Sequence, residues 1–497
     1  MSRAPRSSRQ DYNVIAIGAG AGGLVASGAI AALGGRAALV ERNKMGGDCL
    51  NFGCVPSKAL ISSARLAQRL REAGRWGLEA PEPRPDLQRV LVSMRSRRAA
   101  IEPNDSQERF EKMGVDVYRG EARFRSSHEI EVNGEVLRAR HVVISTGTRA
   151  VMPPIDGLAE VRCFTNETIF DKLDFTPRSL LVVGGGPIGC ELGQVFQRLG
   201  VQVTICQSGK QLLPREDPDV AALLCECLVT EGIRVHMSQE VARVVPQSGD
   251  SFQASLQPSK GSSGEPAQTV EAGALLVAAG REPALEALNL GAAGVRFNDR
   301  GIIVNEYMQT SQPHIFAAGD VAGGLQFTHL SDYHARVIVE NIVRRAVPPL
   351  RWINWLARAD LRVLPWCTYT SPEVARVGLS ESEARKQNLD HRVFKIELRD
   401  VDRCILEREV TGFLKVVASP KGQILGATII GQEAGELIHE IAVAMKHDIS
   451  LGQLGSTIHA YPTRAEAVRK AGDAFKKTQL TPGKKRLLER LFQRDRS

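Results

Sequence analysis

Two glycine-rich strand–turn–helix units and a C-terminal run of alternating strands predict an α/β protein. We expect two Rossmann-like dinucleotide-binding domains followed by a C-terminal α+β domain. A length of 497 residues suggests about three domains. The hydrophobic content of 43% lets each domain bury a core, which excludes disordered, collagen-like and low-complexity proteins.

The first strand–turn–helix unit lies at residues 12–41. Residues 12–17 predict a buried strand, and residues 37–41 predict a second strand that ends on Glu41, 23 residues after the first glycine. An Ala-rich helix is expected between the two strands. The turn before that helix carries three glycines: Gly18, Gly20 and Gly23. A strand, glycine turn, helix and terminal acid in this order are typical of a dinucleotide-binding site.

The second unit repeats the first. Residues 179–183 predict a strand, and a helix to about Leu199 is followed by a strand over 201–206. The turn again carries three glycines: Gly184, Gly186 and Gly189. Two such units in one chain indicate two nucleotide cofactors, or two halves of one chemistry.

The segments around the two units complete the pattern. Residues 64–115 predict helices, and residues 121–144 predict short strands. Three further strands run into glycine turns, at Thr146-Gly147, Gly280-Arg281 and Gly319-Asp320. From about residue 363, strands are expected at 412–418 and 423–430, and helices at about 433–446 and 464–475. This alternation predicts the α+β domain.

The formal net charge of +8 comes from the two ends of the chain. Residues 1–10 hold three Arg and no acid, and the last 22 residues hold eight basic and two acidic residues. The body is close to neutral, so the charge does not form a nucleic-acid-binding face. Trp352 and Trp355 lie among arginines in a predicted linker over 346–362, and we interpret them as packing residues rather than stacking platforms for bases.

The uncharged stretch Val14–Gly35 is 22 residues long and follows three arginines, so its length and charge are compatible with a membrane span or a signal peptide. Its four clustered glycines favour the strand–turn–helix interpretation instead. We therefore expect a cytoplasmic protein. The nine cysteines, an odd number, argue against a structural disulfide framework.

Cys49 and Cys54 are the two cysteines in a context that suggests chemistry. Two cysteines five residues apart can form a redox pair, chelate a metal or do neither. Five residues of ideal helix rise ~7.5 Å, which exceeds the ~4.4–6.8 Å between the Cα atoms of a disulfide. A Cys49–Cys54 disulfide therefore requires a distorted turn, which Gly53 makes easier. We predict no resident metal site.

The motifs together resemble the FAD-dependent pyridine nucleotide-disulfide oxidoreductases, which include dihydrolipoamide dehydrogenase, glutathione reductase and mercuric reductase. The resemblance covers about residues 11–475. Its carriers are both glycine turns, the run Gly46–Lys58 (GGDCLNFGCVPSK), the three later glycine turns and the run Tyr461–Glu466 (YPTRAE).

The resemblance implies a domain order and cofactor-binding roles. FAD would bind to residues 11–150 and 284–345, and NAD(P)H to residues 151–283. A dimerisation domain would span 363–475, with a disordered basic arm at 1–10 and a basic tail at 476–497. Gly18, Gly20 and Gly23 would hold the FAD pyrophosphate, Glu41 the adenosine ribose and Asp320 the ribityl chain. The further implied cofactor-binding residues are Thr146, Gly147, Gly280, Arg281 and Gly319. Gly184, Gly186 and Gly189 would hold the nicotinamide cofactor.

The resemblance also implies a catalytic set. Lys58 would lie near the flavin and pair with Glu191. Cys54 would exchange electrons with the flavin, and Cys49 would face the substrate. The family forms homodimers, so Tyr461 and Glu466 of one chain would face Cys49 of the partner subunit.

Tyr461 departs from the pattern of the disulfide reductases, which carry a proton-shuttling His at this position. A Tyr, with an ordinary pKa of ~10 against ~6.5 for His, is a poor shuttle near neutral pH. His459 is an alternative. Mercuric reductases resemble this chain in having Tyr here, but they carry a tail with adjacent cysteines, and residues 476–497 hold none.

The leading hypothesis is therefore an enzyme that passes electrons from NAD(P)H through FAD and a Cys49–Cys54 disulfide to a thiol-bound metal such as Hg(II), or to a small disulfide. The alternatives are a dihydrolipoyl dehydrogenase-type enzyme and a low-turnover flavoprotein that senses redox state or binds a partner. The choice between NADH and NADPH is open. Gln207 stands in place of the acid that selects NADH, and Lys210 is near in sequence, which favours NADPH. The apolar and basic tail could pack on its own dimer, bind a partner or contact an anionic membrane.

Overall fold

The computed structural model describes residues 11–261, 267–346 and 356–496. The predicted basic arm, and Trp352 and Trp355 of the predicted linker, lie outside these ranges.

The described chain divides into two compact units. Unit 1 comprises the described residues of Met1–Ser208 and Ser238–Asp360, and unit 2 those of Gly209–Met237 and Leu361–Ser497. The segment Gly209–Met237 thus groups with the C-terminal part of the chain. The finer division into FAD, nicotinamide and dimerisation domains stays a prediction.

The strands are β1 (Tyr12–Ile17), β2 (Ala37–Glu41), β3 (Val115–Arg119), β4 (Ala122–Phe124), β5 (Glu129–Val132), β6 (Glu135–Ile144), β7 (Thr148–Ala150), β8 (Cys163–Thr165), β9 (Ser179–Val183), β10 (Gln202–Gln207), β11 (Arg234–Met237), β12 (Gln239–Pro246), β13 (Phe252–Pro258), β14 (Gln268–Ala272), β15 (Ala274–Val277), β16 (Arg281–Pro283), β17 (Phe297–Asn298), β18 (Gly301–Ile302), β19 (Ile315–Ala317), β20 (Pro365–Thr368), β21 (Glu373–Gly378), β22 (Arg392–Glu397), β23 (Phe413–Ala418) and β24 (Ile424–Gly431).

The α-helices are α1 (Ala21–Ala32), α2 (Gly47–Asn51), α3 (Cys54–Arg71), α4 (Leu87–Ile101), α5 (Gln107–Lys112), α6 (Asn166–Lys172), α7 (Pro187–Arg198), α8 (Pro218–Thr230), α9 (Thr328–Ala346), α10 (Glu381–Lys386), α11 (Asp402–Leu406), α12 (Ala434–Lys446), α13 (Leu451–Leu454), α14 (Glu466–Thr478) and α15 (Pro482–Arg494). Among the described helices, none combines the length and apolar character that crossing a bilayer requires.

The first sheet of unit 1 has the order β3-β2-β1-β6-β5-β4, with β19 paired to β6. Strands β3, β2, β1, β6 and β19 run parallel. Side chains from both faces of this sheet enter apolar cores, which explains the uninterrupted hydrophobic runs of β1 and β2. Because the carboxyl ends of parallel strands meet at one edge, the sheet collects the loops after β1, β2, β6 and β19.

The second sheet of unit 1 has the parallel order β10-β9-β15-β8. It places the loops after β9, β10 and β15 at one edge in the same way. The antiparallel sheet β12-β13-β14 packs its apolar residues into one core with residues of β9 and β15. The predicted strand at 179–183 is confirmed, and the strand predicted over 201–206 is observed one residue later.

Unit 2 is built on an antiparallel sheet of the order β20-β21-β24-β23-β22. Residues of α12 and α14 join the sheet in one apolar core. The two strands and two helices predicted in this region are observed within a few residues of their expected ends. The α/β class with a C-terminal α+β domain is therefore confirmed.

Buried ion pairs fix the segment Gly209–Met237 within unit 2. Lys415 Nζ lies 2.9 Å from a carboxylate oxygen of Asp217, and both side chains are nearly inaccessible to solvent. The equally buried Arg376 lies 3.8 Å from Glu216 and donates at 2.7 Å to the carbonyl of Arg215. Because a buried charge is costly without its partner, these contacts require the segment to stay in place.

Candidate active site

The first glycine turn connects β1 to α1 through close backbone contacts. Gly18 has a φ of +99°, and a Cβ there would lie 2.5 Å from the carbonyl oxygen of Ser145. A Cβ at Gly23 would lie 1.9 Å from the Gly18 carbonyl oxygen. The space beside Gly20 is open instead, with no atom within 4 Å. The turn thus packs tightly on the sheet and leaves room at the N-terminus of α1, where free N–H groups favour a pyrophosphate.

Glu41 lies beside this turn at the end of β2. Its carboxylate is buried and accepts hydrogen bonds at 2.6 Å from the backbone N–H groups of Ala19 and Asn43. These bonds fix the side chain at the position where dinucleotide-binding units hold the ribose hydroxyls. The donors and the open turn fit the adenosine diphosphate part of FAD.

The second glycine turn reproduces this geometry between β9 and α7. Gly184 has a φ of +112°, and a Cβ there would lie 2.3 Å from the Ala278 carbonyl oxygen. A Cβ at Gly189 would lie 2.0 Å from the Gly184 carbonyl oxygen, whereas nothing lies within 4 Å of a Cβ at Gly186. This turn therefore also fits a dinucleotide pyrophosphate.

Gln207 is placed like Glu41, at the end of the strand after the glycine turn. Its Oε1 accepts a hydrogen bond of 2.8 Å from the N–H of Gly185. The second site therefore presents a neutral amide where the first presents a carboxylate. Lys210, the other residue predicted to read the nucleotide, is exposed and belongs to unit 2.

A chain of polar contacts connects Asp320 with Asp48. Thr148 Oγ1 donates to Asp320 at 3.2 Å and accepts from Arg281 Nε at 2.8 Å. Arg281 also forms an ion pair of 3.0 Å with Asp48. Burial raises the pKa of the Asp320 carboxyl, and nearby Arg281 opposes this shift. The contacts link the predicted ribityl-binding residue to α2, the helix that carries Cys49.

The remaining residues predicted to bind a cofactor lie in the turns around this chain of contacts. Gly147, Gly280 and Gly319 all have positive φ, which favours glycine. Thr146 Oγ1 donates to the carbonyl of Ala284 at 2.9 Å, so its hydroxyl holds the loop after β6.

Cys49 and Cys54 lie in two consecutive short segments rather than in one helix. Cys49 belongs to α2, and Cys54 is the first residue of α3 after a break at Phe52 and Gly53. Both cysteines are free thiols joined by a side-chain hydrogen bond. The predicted break in helical geometry is thus present, and it lets the two sulfur atoms approach.

The environment of the pair favours one thiolate and one thiol. The hydrogen bond from Cys49, helped by the nearby Lys58 ammonium, lowers the pKa of Cys54 to about 6. The same hydrogen bond, together with burial, raises the pKa of Cys49. Thr328 Oγ1 lies 3.4 Å from Cys54 Sγ, and the N-terminal position of Cys54 in α3 adds a favourable helix dipole.

Lys58 and Glu191 form the predicted pair. Lys58 lies one turn after Cys54 on α3, and its Nζ is 2.8 Å from Glu191 Oε2. Glu191 is buried on α7. The pair joins α3 to α7 and fixes a positive charge on the helix face that carries Cys54.

Tyr461 and Glu466 are not joined by a hydrogen bond in unit 2. The exposed Tyr461 hydroxyl donates to Asp402 at 2.8 Å, and this contact raises the pKa of the phenol. The buried Glu466 accepts at 2.9 Å from Arg469, while its second oxygen has no partner among the described residues. Tyr461 is therefore held as a neutral hydroxyl by Asp402.

His459 makes two hydrogen bonds within unit 2. Its Nε2 lies 2.8 Å from Glu440, and its Nδ1 lies 2.9 Å from the carbonyl of Thr457. Both ring nitrogens are thus engaged. This arrangement disfavours His459 as a substitute proton shuttle.

The residues that sequence reasoning missed are Thr328, Thr148, Asp48 and Asp402. Two of them adjoin motif residues, which is the available signal: Asp48 precedes Cys49, and Thr148 follows Gly147. Their partners are distant in sequence, so only the fold reveals the contacts. Throughout residues 11–261, 267–346 and 356–496, no group of three His, Cys, Asp or Glu side chains is arranged to hold a metal ion.

Comparisons with known proteins agree with this geometry. Residues 12–335 match the pyridine nucleotide-disulphide oxidoreductase family model, and residues 364–472 match its dimerisation domain. The chain is 33% identical to a mercuric reductase of Lysinibacillus sphaericus, covering 95% of this chain and 84% of that protein. It is 35% identical to a dihydrolipoyl dehydrogenase of Thermus scotoductus, covering 94% and 98% of the two chains.

Among solved structures, the Cu(II) complex of the HOCl-induced flavoprotein disulfide reductase RclA from Escherichia coli resembles this chain. It superposes with a TM-score of 0.79 at 26% identity, over 93% of this chain and 99% of that chain. The chain therefore belongs to the pyridine nucleotide-disulphide oxidoreductases, enzymes that use FAD, take electrons from NAD(P)H and share a dimerisation domain.

Proposed function

We propose that this enzyme uses NADPH to reduce a soft metal ion held by thiolates, with Hg(II) as the reference substrate. The observation that carries the proposal is the pair of sulfur atoms of Cys49 on α2 and Cys54 at the start of α3. The neutral hydroxyl of Tyr461 adds to it. Soft cations prefer thiolate ligands, and two thiolates suffice for Hg(II). Several relatives are named mercuric reductase, and the RclA structure contains Cu(II), which supports a metal substrate.

The two glycine turns would bind the cofactors. Gly18, Gly20 and Gly23 would hold the FAD pyrophosphate, with Glu41 on the ribose and Asp320 on the ribityl chain. Gly184, Gly186 and Gly189 would hold NADPH. When bound, FAD supplies the passage of two electrons between NADPH and the cysteine pair.

The protein's own groups set the charge at the cysteines. Glu191 holds the Lys58 ammonium at 2.8 Å, and that ammonium stabilises the Cys54 thiolate. The Cys49 thiol loses its proton when a soft cation binds, as thiol ligands do. Two electrons from NADPH then convert bound Hg(II) to Hg(0), NADPH becomes NADP⁺ with release of one proton to solvent, and both sulfurs remain as thiolates.

This balance requires no proton transfer to the substrate. Reduction of a disulfide is different, because its product thiols need protons and a proton shuttle accelerates the step. The hydroxyl of Tyr461 donates its one proton to Asp402, and this contact raises the pKa of the phenol, so the side chain stays protonated at neutral pH and is a poor base. By turning from Asp402 to a bound thiolate or metal–thiolate ligand it would act as a donor, a role that suits such a ligand better than a disulfide.

We further propose that the site is completed across a homodimer. Tyr461 of the partner subunit would face Cys49, as the family's dimerisation domain suggests. Co-expression of a Cys54→Ser chain with a Tyr461→Ala chain tests this arrangement. In a shared site, each such mixed dimer retains one intact site, whereas a site within one chain leaves none.

A dihydrolipoyl dehydrogenase is the second candidate, because relatives with that name align as well as the mercuric reductases. The discriminating experiment is anaerobic titration of the purified enzyme with NADPH, followed by Hg(II) or lipoamide in separate cuvettes. We expect turnover with Hg(II) and little with lipoamide. Rapid lipoamide turnover without Hg(II) turnover would favour the second candidate.

Two variants complete this experiment. Cys54→Ser should lose turnover and the long-wavelength absorbance that a thiolate produces beside bound FAD. Cys227→Ser, a partly buried cysteine on α8, is the matched control and should keep both. A low-turnover sensor or partner-binding protein, the third hypothesis, would show absorbance changes but slow reoxidation by every substrate. A cytoplasmic location stays a prediction.

A further inference from the structure

The C-terminal helix α15 exposes an apolar face. Every described residue from Thr481 to Arg496 is exposed, and none belongs to the core of unit 2. Four large apolar side chains on this helix are between 41% and 60% exposed: Leu487, Leu488, Leu491 and Phe492. Helices with this composition normally bury such residues.

The four apolar residues form one continuous stripe. At 3.6 residues per turn they cover an arc of roughly 140°. Lys485 follows one edge of the arc, and Arg490 and Arg494 follow the other. Lys484 lies within the arc, one turn before Leu488. The helix holds five basic residues and one acid, Glu489. Long cationic side chains on both edges of a Leu and Phe stripe are typical of a helix that lies in a membrane interface.

The helix is separate from the family's shared parts. The match to the dimerisation domain ends at residue 472, and α15 begins at Pro482. Its apolar face therefore lies outside the part of the chain that matches the family's dimerisation domain. A second copy of α15 is a poor occupant for this face, because pairing two such helices would bring two sets of basic residues together.

We propose that α15 binds the surface of an anionic phospholipid membrane. The stripe of Leu487, Leu488, Leu491 and Phe492 would lie below the headgroups, and the flanking basic side chains would contact lipid phosphates. Two observations support this proposal: the excess of basic residues on α15 and the exposed apolar stripe on one of its faces. The enzyme would then reduce its substrate while attached to a membrane surface, a property that the proposed function does not require.

The test is co-sedimentation of the full-length FAD-containing enzyme with vesicles. One set consists of phosphatidylcholine, and the other of phosphatidylcholine mixed with phosphatidylglycerol. We expect sedimentation with the second set, release as salt rises, and little with the first. Lys485→Gln and Arg490→Gln should each weaken binding by roughly fivefold, the effect of one interfacial charge.

The apolar face is tested by the double variant Leu491→Ser, Phe492→Ser, which should abolish sedimentation and keep flavin absorbance and NADPH oxidation in solution. Leu78→Ser, at a leucine that is 64% exposed, is the matched control and should bind normally. The full-length Phe492→Trp variant gives a second readout, because its fluorescence should shift to the blue with anionic vesicles beyond the wild-type change.

Three results would overturn the proposal. The first is no binding to anionic vesicles by the intact enzyme, and the second is equal binding to both vesicle types. The third is a drop in the mass of the wild-type assembly on light scattering when Leu491 and Phe492 are replaced, since the face would then be covered by a second copy. None of these results would bear on reduction of Hg(II), which is measured without vesicles.

Discussion

Glu41 and Gln207 accept equivalent hydrogen bonds in the two halves of unit 1. Glu41 Oε2 takes the N–H of Ala19 at 2.6 Å, and Gln207 Oε1 takes the N–H of Gly185 at 2.8 Å, each 22 residues after its donor. The backbone geometry is repeated, and only the charge of the acceptor differs. The second site therefore lacks the carboxylate that repels a 2′-phosphate.

This difference predicts the effect of Gln207→Glu on nucleotide choice. A carboxylate would bond the 2′-hydroxyl of NADH and repel the phosphate of NADPH, so the ratio of kcat/KM for NADPH to that for NADH should fall by roughly tenfold or more. Steady-state kinetics with both nucleotides measure the ratio. Gln202→Glu, the same change at an exposed position of β10, should leave it unaltered. An unchanged ratio in Gln207→Glu would place nucleotide recognition elsewhere.

Replacing the two charged residues near Cys54, Lys58 and Glu191, should shift the pKa of Cys54 in opposite directions. The pKa of Cys54 is lowered to about 6, so its thiolate persists at neutral pH and is lost as pH falls through that value. Lys58→Met removes a stabilising charge and should move the midpoint to higher pH. Glu191→Gln removes a destabilising charge and should move it to lower pH.

The rate of iodoacetamide alkylation of the reduced enzyme, followed against pH, reports both shifts. Cys49→Ala should also raise the midpoint, because it removes the hydrogen bond that contributes most to the lowered pKa. Shifts of the same sign in Lys58→Met and Glu191→Gln would contradict this account of the site.

Tyr461→His should convert the substrate preference. A His at this position can exchange protons near neutral pH, so lipoamide turnover should rise by roughly a hundredfold, the usual contribution of a general acid–base group. Hg(II) turnover should change little. Tyr461→Phe is the control, since it removes the hydroxyl without adding a base. Equal lipoamide rates in the His and Phe variants would show that proton transfer does not limit this reaction.

Thr148→Val should weaken FAD binding. The variant removes the hydroxyl that donates to the buried Asp320 and accepts from Arg281. Loss of a hydrogen bond to a charged group costs about 1.5–3 kcal/mol, which corresponds to a roughly tenfold to hundredfold higher Kd for FAD. Fluorescence titration of the apoprotein with FAD measures this. Thr230→Val, on the exposed end of α8, should bind FAD normally.

The sequence was sufficient wherever function depends on residues near one another along the chain. Both glycine turns, the strands around them and the two cysteines follow from local spacing. The continuous apolar run at residues 12–17 predicts a buried strand, because the strands of a parallel sheet covered on both faces consist of such runs. The class of enzyme follows from those motifs, and the family match confirms it.

Contacts between distant residues could not be predicted from local patterns. Thr328 approaches Cys54 across 274 positions, and Arg281 pairs with Asp48 across 233. Spacing carries no information about such pairs. The hydrogen bond from Tyr461 to Asp402 is a further example, because it spans 59 positions.

The buried pairs of Lys415 with Asp217 and of Arg376 with Glu216 have a consequence for dissecting the protein. Unit 2 is assembled from two stretches of chain, so a fragment that starts at Leu361 would contain both cations and neither of these carboxylates. Lys415 would keep only a 3.6 Å contact with Glu381, and Arg376 would keep its ion pair with Glu383. Breaking a buried ion pair by removing one partner costs about 3–5 kcal/mol, which approaches the whole stability of a small domain. The C-terminal stretch is therefore not a separable module, and the segment Gly209–Met237 has to wait for partners that are made more than a hundred residues later.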